Sequence, residues 1–209
     1  MKKINDHPLA FLFLFFAIYL LLFFHLESLQ REPMLILHSS LDDLIPFSRF
    51  AVLPYCLWFP EIAFTLAYFL FKCNRKEFWR MAAPLCFGMM STLIFYCFVA
   101  TEITLRPQDP TENDIFAFAV KMVHMADNPT NVCPSIHVLV CVIFNHAWIR
   151  YAKQNEKAWI AIASMLLNIA IIASTLFLKQ HSIIDVIAGL AYAYVIEAAA
   201  HSVFQMKRA

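Results

Sequence analysis

Two long apolar segments are joined by Ser174-Thr-Leu-Phe-Leu-Lys-Gln-His-Ser-Ile-Ile-Asp-Val186, a stretch that contains a lysine, a histidine and an aspartate. Hydrocarbon cannot solvate a lysine, a histidine and an aspartate, so each needs a partner or a function. His181 and Asp185 are four residues apart, which places them on one face of a helix. A carboxylate beside a histidine fixes the ring tautomer and makes the second nitrogen a better nucleophile or base. The alternative is an ion pair that only pins two helices together.

The composition is that of a polytopic membrane protein. Of the 209 residues, 61% are hydrophobic and 15% are charged, values that do not fit an ordinary soluble domain. The length fits a single domain, residues 1–209. A net charge of +1 gives no indication of a nucleic-acid partner. The six cysteines lie mostly inside apolar runs, without the spacing of a metal site or a disulfide framework, and are predicted to be packing residues.

Six apolar segments of about 20 residues are predicted to cross the bilayer as helices. They are 8–24, 51–71, 82–100, 134–151, 158–178 and 182–204. A polar loop, 101–131, follows the third segment and contains an amphipathic helix at about 115–125, while 40–47 has the pattern of a capped short helix at the membrane interface. The predicted fold class is therefore all-α, a polytopic membrane protein with six transmembrane helices and an outer amphipathic helix.

The basic residues are distributed unevenly between the two sides that this path defines. Most of the 16 lysines and arginines fall at 2–3, 72–80, 150–157 and 207–208, which an alternating path places on one side. Because cytoplasmic segments are enriched in lysine and arginine, both termini are predicted to be cytoplasmic. The loop 101–131 and the stretch 174–186 then face outward, in a plasma (inner) membrane.

A second polar cluster, Asn131-Val-Cys-Pro-Ser-Ile-His137, lies at the start of the fourth crossing. Pro134 suits a first helical turn, where free backbone N–H groups and the positive dipole end form an anion site. Ser135 can donate a hydrogen bond to a phosphate oxygen, and a protonated His137 can pass a proton to a leaving group. His137 and His181 are 44 residues apart, or ~66 Å of helix, enough to cross ~30 Å of hydrocarbon and return. The two histidines are therefore predicted at the same depth.

Two cations near the same face are candidate phosphate contacts. Arg106 precedes Pro107 in the outer loop, and Lys179 lies two residues before His181. A lone arginine in a polar loop is usually only solvated, but here the two cations together can supply positive charge for a phosphate group.

Other residues inside the crossings predict packing and polar contacts. Glu61 falls near the middle of the second crossing, where a charge costs ~2.5–3.5 kcal/mol on insertion scales. We expect it to be neutral, paired or lining a polar cavity, with His146 and Asn145 as candidate partners. Gly189 and Ala193 form a small-xxx-small pattern that favours close helix packing.

The motifs resemble those of the type-2 phosphatidic acid phosphatase superfamily of integral membrane enzymes. That family carries Lys-x6-Arg-Pro, Pro-Ser-Gly-His and Ser-Arg-x5-His-x3-Asp in this order. The corresponding segments here are Arg106-Pro107, Pro134-Ser135-Ile136-His137 and Ser174-Thr175-x5-His181-x3-Asp185. The resemblance covers about residues 95–195 and the six-helix layout.

Three positions depart from the family pattern. Val99 stands where the family has its lysine, Ile136 replaces the glycine, and Thr175 replaces the arginine. Two phosphate contacts are therefore missing, and Lys179 is a candidate substitute. The form Lys179-Gln180-His181 and the bulky Ile136 also resemble the inositol-phosphorylceramide-synthase-like branch, whose members transfer a head group to an alcohol.

The resemblance implies a lipid phosphatase that acts on a phosphate or diphosphate ester at the extracytoplasmic face. His181 would form a phosphohistidine, Asp185 would orient its ring, and His137 would protonate the leaving oxygen. The implied phosphate-binding residues are Arg106, Ser135 and Lys179. The expected partners are a lipid phosphate substrate and membrane lipids; no cofactor is expected and, because no metal-ligand cluster occurs, turnover is expected to be independent of metal.

Two alternatives stay open. One is a phosphotransferase that replaces water by a lipid alcohol. The other is a non-catalytic membrane protein, which the missing lysine and arginine favour and which the presence of His137, His181 and Asp185 opposes.

Overall fold

The structure, a computed structural model, describes residues 7–29, 31–107 and 114–206. Within them the helices are α1 (Pro8–Ser28), α2 (Ser40–Leu44), α3 (Val52–Lys72), α4 (Arg75–Phe98), α5 (Ile115–Ala126), α6 (Ile136–Gln154), α7 (Ala158–Phe177) and α8 (Ile183–Met206). A 3-10 turn, Arg49–Ala51, leads into α3. Two short parallel strands, β1 (Leu35–Ile36) and β2 (Thr101–Glu102), pair with each other. The chain is an all-α polytopic membrane protein, as its composition predicts.

Five of the described helices are long and apolar enough to cross a membrane: α1, α3 with its 3-10 turn, α4, α7 and α8. The remaining predicted crossing, α6, has 19 residues but is not among the five, because it carries His137, Asn145, His146 and Arg150. It packs against α4, α7 and α8 and forms the centre of the bundle. A helix that its neighbours shield from lipid does not need an apolar surface all round.

The observed helix limits differ from the predicted ones where a capping residue decides them. α4 begins at Arg75 and not at residue 82, because the Asn74 side chain accepts the backbone N–H of Glu77 at 2.9 Å. An ion pair of 3.1 Å between Arg80 and Glu77 follows in the next turn. The basic run after α3 is thus the first part of α4.

The two predicted helices outside the crossings are confirmed. Asp114 caps α5, its side chain accepting the backbone N–H of Ala117 at 2.8 Å. Ser39 and Asp42 form a capping box around α2. Val120 of α5 packs with Val52 and Leu178, so α5 covers the end of the bundle where α3 and α6 begin and α7 ends. We call this the site end.

Glu61 has a different partner from those predicted. It is 7% exposed, and its Oε1 accepts a hydrogen bond at 3.0 Å from Nδ2 of Asn168 on α7. His146, one of the two predicted partners, instead lies 3.4 Å from Glu197. Of the three alternatives, the structure shows a hydrogen-bonded pair, but with neither candidate partner, because the period of one helix does not show which neighbour it faces.

Lys2, Lys3, Lys207 and Arg208, which contribute to the predicted orientation, lie outside the described residues.

Candidate active site

His181 lies in the turn 178–182 that joins α7 to α8. The backbone N–H groups of Gln180 and His181 both donate to the carbonyl of Thr175, at 2.9 and 3.2 Å. Lys179 adopts the left-handed backbone conformation, with φ 57°, which reverses the chain direction over a short distance. His181 is therefore held in a buried position, 6% exposed, beside the start of α6.

Three side chains contact the two ring nitrogens of His181. Nδ1 lies 2.9 Å from Oδ1 of Asp185, while Nε2 lies 3.1 Å from Oγ of Ser135 and 3.2 Å from Nδ1 of His137. The Asp185 side chain is fully buried, and its Oδ2 accepts the backbone N–H of Ser182 at 3.0 Å. A proton on Nδ1 of His181 would face the carboxylate and leave the Nε2 lone pair directed at Ser135 and His137. The two histidines lie at the same depth, as predicted, and their rings are in direct contact.

The charge of Asp185 changes the protonation of His181. Burial alone would lower the pKa of His181, but the nearby carboxylate of Asp185 outweighs burial and raises the pKa above its ordinary value. The imidazolium form of the ring is thus stabilised. A ring that gains positive charge on attacking an electrophile needs this stabilisation.

The segment 134–137 is fixed against α4 and α8. The Tyr96 hydroxyl donates to the carbonyl of Pro134 at 2.7 Å, and the Ser135 N–H donates to the carbonyl of Asp185 at 3.2 Å. Ser135 is the N-cap of α6, its hydroxyl accepting the N–H of Val138 at 3.4 Å. Pro134 therefore precedes the helix and does not occupy its first turn as predicted. His137 lies in that first turn, close to the positive end of the helix dipole.

The close approach of α8 to α6 depends on Gly189. A Cβ at this position would lie 2.9 Å from the carbonyl oxygen of Ser135 and 3.0 Å from Cβ of Val138. Ala193, one turn further along α8, is fully buried. The predicted small-residue contact is confirmed, and it lies directly beside the Ser135 backbone.

The variant Gly189→Ala is expected to lower turnover about tenfold to a hundredfold, because a backbone oxygen cannot move aside and α8 must shift relative to α6. Initial rates of phosphate release from a lipid phosphate measure this effect. Gly88→Ala is the matched control, since the added Cβ there meets the flexible side chain of Leu139 at 3.0 Å. Equal rates for both variants would contradict the expectation.

Aromatic side chains of α3 enclose His137 on the side away from His181. The ring centroids of Trp58 and Tyr55 lie 4.3 and 5.0 Å from the centroid of His137. The Tyr55 hydroxyl donates to Oδ2 of Asp127 at 2.7 Å. Nε2 of His137 is buried and has no hydrogen-bond partner among the described residues.

Arg106 reaches the site through Gln180, the residue before His181. Its Nη2 donates to the carbonyl of Asp127 at 2.7 Å and to the side-chain oxygen of Gln180, and its Nη1 donates to the carbonyl of His124 at 3.4 Å. Within the described part of the chain, Nε of Arg106 and Nε2 of Gln180 are buried without an acceptor. Both N–H groups are therefore available to an anion beside His181.

Lys179, predicted to bind phosphate, points elsewhere. Its ammonium donates to the carbonyls of Asp42 and Ile45, each at 2.6 Å, and the residue is 8% exposed. Two of its three N–H donors are thus used at the C-terminal end of α2. The prediction took the sequence distance to His181 as a guide, but the left-handed backbone of Lys179 sends the side chain toward α2.

Several residues of the site were missed by sequence reasoning. They are Tyr55, Trp58, Asp127, Gln180 and Asp42. Their contacts join segments that are far apart in the chain. The aromatic content at the start of α3 was the one available signal.

Two histidines, a buried carboxylate and an arginine, held together at the ends of apolar helices, define a membrane site suited to nucleophilic and acid–base chemistry. The family model described as the PAP2 superfamily matches residues 81–209, and the chain belongs to that superfamily. Neither the comparison with curated proteins nor the comparison with solved structures yields a match. The chain is therefore a membrane lipid enzyme of the phosphatase or phosphotransferase type.

Proposed function

We propose that the protein is a lipid phosphatase that works through a phosphohistidine at His181. The observation that carries this proposal is the placement of the His181 ring. One nitrogen faces the buried carboxylate of Asp185, and the other faces Ser135 and His137. This arrangement gives a nucleophile, a group that orients it and a proton donor within one contact shell.

In the first step Nε2 of His181 attacks phosphorus in line with the leaving oxygen. An entering phosphoryl group takes the place of the direct contact between the two histidines. The new N–P bond forms as the P–O bond to the lipid alcohol or phosphate breaks, and His137 gives its proton to the departing oxygen. This kind of acid catalysis contributes about 10²–10⁴ in rate. Asp185 stabilises the positive charge that develops on the His181 ring.

In the second step water attacks the phosphohistidine. His137, now neutral, takes a proton from the water as the new P–O bond forms and the N–P bond breaks. Inorganic phosphate leaves, and both histidines return to their starting states. No metal is needed to balance either step, so we expect turnover in the presence of a chelator.

The phosphate oxygens are assigned to donors beside His181. Nε of Arg106 and Nε2 of Gln180 are buried and unpaired among the described residues, and the Ser135 hydroxyl contacts the attacking nitrogen. Donors aimed at oxygens that gain charge stabilise the transition state. Gln180 replaces the predicted contribution of Lys179 in this scheme.

The site is proposed to face outward, with both termini cytoplasmic. Within the described residues, the basic segments 72–80 and 150–157 lie at the end of the bundle opposite the site end. The enrichment of lysine and arginine on the cytoplasmic side supports this orientation, in a plasma (inner) membrane.

A substrate panel tests the proposal. Purified protein is incubated in a chelating buffer with phosphatidate, phosphatidylglycerophosphate or polyprenyl diphosphate, each with and without diacylglycerol, inositol or ceramide. Free phosphate released without an acceptor supports the phosphatase. Absence of turnover and of vanadate sensitivity would overturn it and favour a non-catalytic membrane protein.

Phosphotransfer to an alcohol is the second candidate, because Lys179-Gln180-His181 and Ile136 resemble the inositol-phosphorylceramide-synthase-like branch. The same two histidines serve this reaction if an alcohol replaces water in the second step. Head-group exchange that depends on an acceptor, with little free phosphate, would favour it in the same panel.

A further inference from the structure

A cavity of about 600 Å³ lies between α3, α6 and α7, and its walls include none of the residues assigned to the candidate active site. Most of its walls are apolar or aromatic, and they include Leu57, Phe64, Tyr68, Trp148, Trp159 and Ala163. The exposed Lys157 is the basic residue of the lining. Leu57, Phe64 and Trp159 are 48%, 61% and 67% exposed, so the cavity opens sideways toward the lipid. Its size is that of sites for drug-sized ligands.

One acidic side chain, Glu61, contributes to these walls. Its Oε1 is bonded to Asn168, but its Oε2 is buried and has no hydrogen-bond partner among the described residues. Oδ1 of Asn168, which is 3% exposed, also has no partner in the described chain. Each of the two residues therefore has one buried acceptor atom without a donor among the described residues, which is costly.

Several neighbouring donors are already used. Nδ2 of Asn168 also donates to the carbonyl of Ser164 at 2.8 Å, and the Ser164 hydroxyl donates to Asn145 at 3.2 Å. The indole N–H of Trp148 donates to the Thr65 hydroxyl at 3.1 Å. Oε2 of Glu61 is thus open to a donor from a molecule in the cavity.

We propose that this cavity binds a hydrophobic amine, a molecule with one ammonium group on an apolar body. The ammonium donates a charge-assisted hydrogen bond to Oε2 of Glu61. The faces of Phe64, Tyr68 and Trp148 interact favourably with the cation, and the apolar body covers the remaining walls. Because the opening faces the lipid, the ligand enters from the membrane. An ionisable residue inside a membrane bundle, with one carboxylate oxygen unpaired among the described residues, is well explained by such a ligand.

Quenching of tryptophan fluorescence tests the proposal, since Trp148 and Trp159 line the cavity. The protein in zwitterionic nanodiscs is titrated with 4-(4-bromophenyl)butylamine, whose bromine quenches tryptophan, and with the matching alcohol and carboxylic acid. We expect saturable quenching by the amine, reversed by the unbrominated amine, and only linear quenching by the other two. Glu61→Gln is expected to weaken amine binding about tenfold or more.

Two further variants keep the result interpretable. Asp43→Asn removes an exposed carboxylate and is expected to bind the amine as the parent protein does. Ala163→Leu fills the cavity, leaves Glu61 in place and is expected to abolish saturable binding even if Glu61→Gln fails to fold. Equal quenching by the three compounds, or binding that survives both Glu61→Gln and Ala163→Leu, would overturn the proposal. The readout does not use hydrolysis, so it is independent of the proposed phosphatase activity.

Discussion

Replacing His181 by asparagine is expected to lower phosphate release by more than about a thousandfold. The asparagine side chain keeps a polar group near Ser135 and Asp185 but has no basic ring nitrogen to attack phosphorus. A residue that forms the covalent intermediate is required for the whole reaction, and its loss removes more than a single contact. The effect is therefore expected to equal the loss of the whole catalytic unit. Initial rates with the best substrate of the panel measure it.

The intermediate gives a second, independent measurement. With a substrate labelled in the transferred phosphate, the parent protein should carry an acid-labile, base-stable label after rapid quenching, and His181→Asn should carry none. His38→Asn is the matched control, because His38 also pairs with a carboxylate, Asp43 at 2.9 Å, but is exposed. Full activity or undiminished labelling in His181→Asn would show that another residue is the nucleophile.

Sequence alone predicted the parts of the site that depend on regular helix geometry. Because the rise per residue of a helix is fixed, the spacing from His137 to His181 implied that both lie at one depth. In the structure Nδ1 of His137 lies 3.2 Å from Nε2 of His181. The four-residue spacing also predicted that Asp185 lies beside His181, although His181 lies in the turn before α8 and not on the helix. Gly189 was predicted as a packing residue because small residues let membrane helices approach closely.

The other features depend on a turn conformation, on the rotation of one helix against another and on a contact between distant segments. Nothing in the pattern shows that Lys179 adopts a left-handed backbone and turns its ammonium to α2. The partner of Glu61 depends on how α3 is rotated against α7, which the apolar composition of both helices leaves open. Asp42 contacts Ser182 across 140 residues of sequence, and no local pattern joins them.

Asp42 closes a set of contacts that holds the His181 turn. Its Oδ1 accepts the backbone N–H of Ile183 at 2.8 Å, and its Oδ2 accepts the Ser182 hydroxyl at 2.6 Å and the backbone N–H of Ser39 at 2.8 Å. The carboxylate thus sits at the positive end of α8. The Lys179 ammonium adds a further hydrogen bond between the two segments, because it donates to the backbone carbonyl of Asp42. We call these contacts the α2 latch.

Asp42→Ala is expected to lower both stability and turnover strongly. The side chain is 1% exposed, so its removal leaves buried donors at the start of α8 unpaired, at a cost on the order of 3 kcal/mol. His181 immediately precedes Ser182, and a displacement of about 1 Å there is expected to lower kcat about a hundredfold. Thermal unfolding in detergent and kcat well below both melting temperatures measure the two effects. Asp43→Asn, at the exposed neighbouring carboxylate, should change neither.

The variant Lys179→Met separates the two roles that Lys179 can have. If its ammonium acts in the α2 latch, Lys179→Met lowers the melting temperature, and its effect combined with Asp42→Ala is smaller than the sum of the two, because both variants break one set of contacts. If it binds phosphate, Lys179→Met raises KM at an unchanged melting temperature, and the two effects add. The hydrogen bonds to Asp42 and Ile45 favour the first result. If Lys179→Met raises KM and leaves the melting temperature unchanged, Lys179 binds phosphate, and Asp42 holds the His181 turn without the ammonium of Lys179.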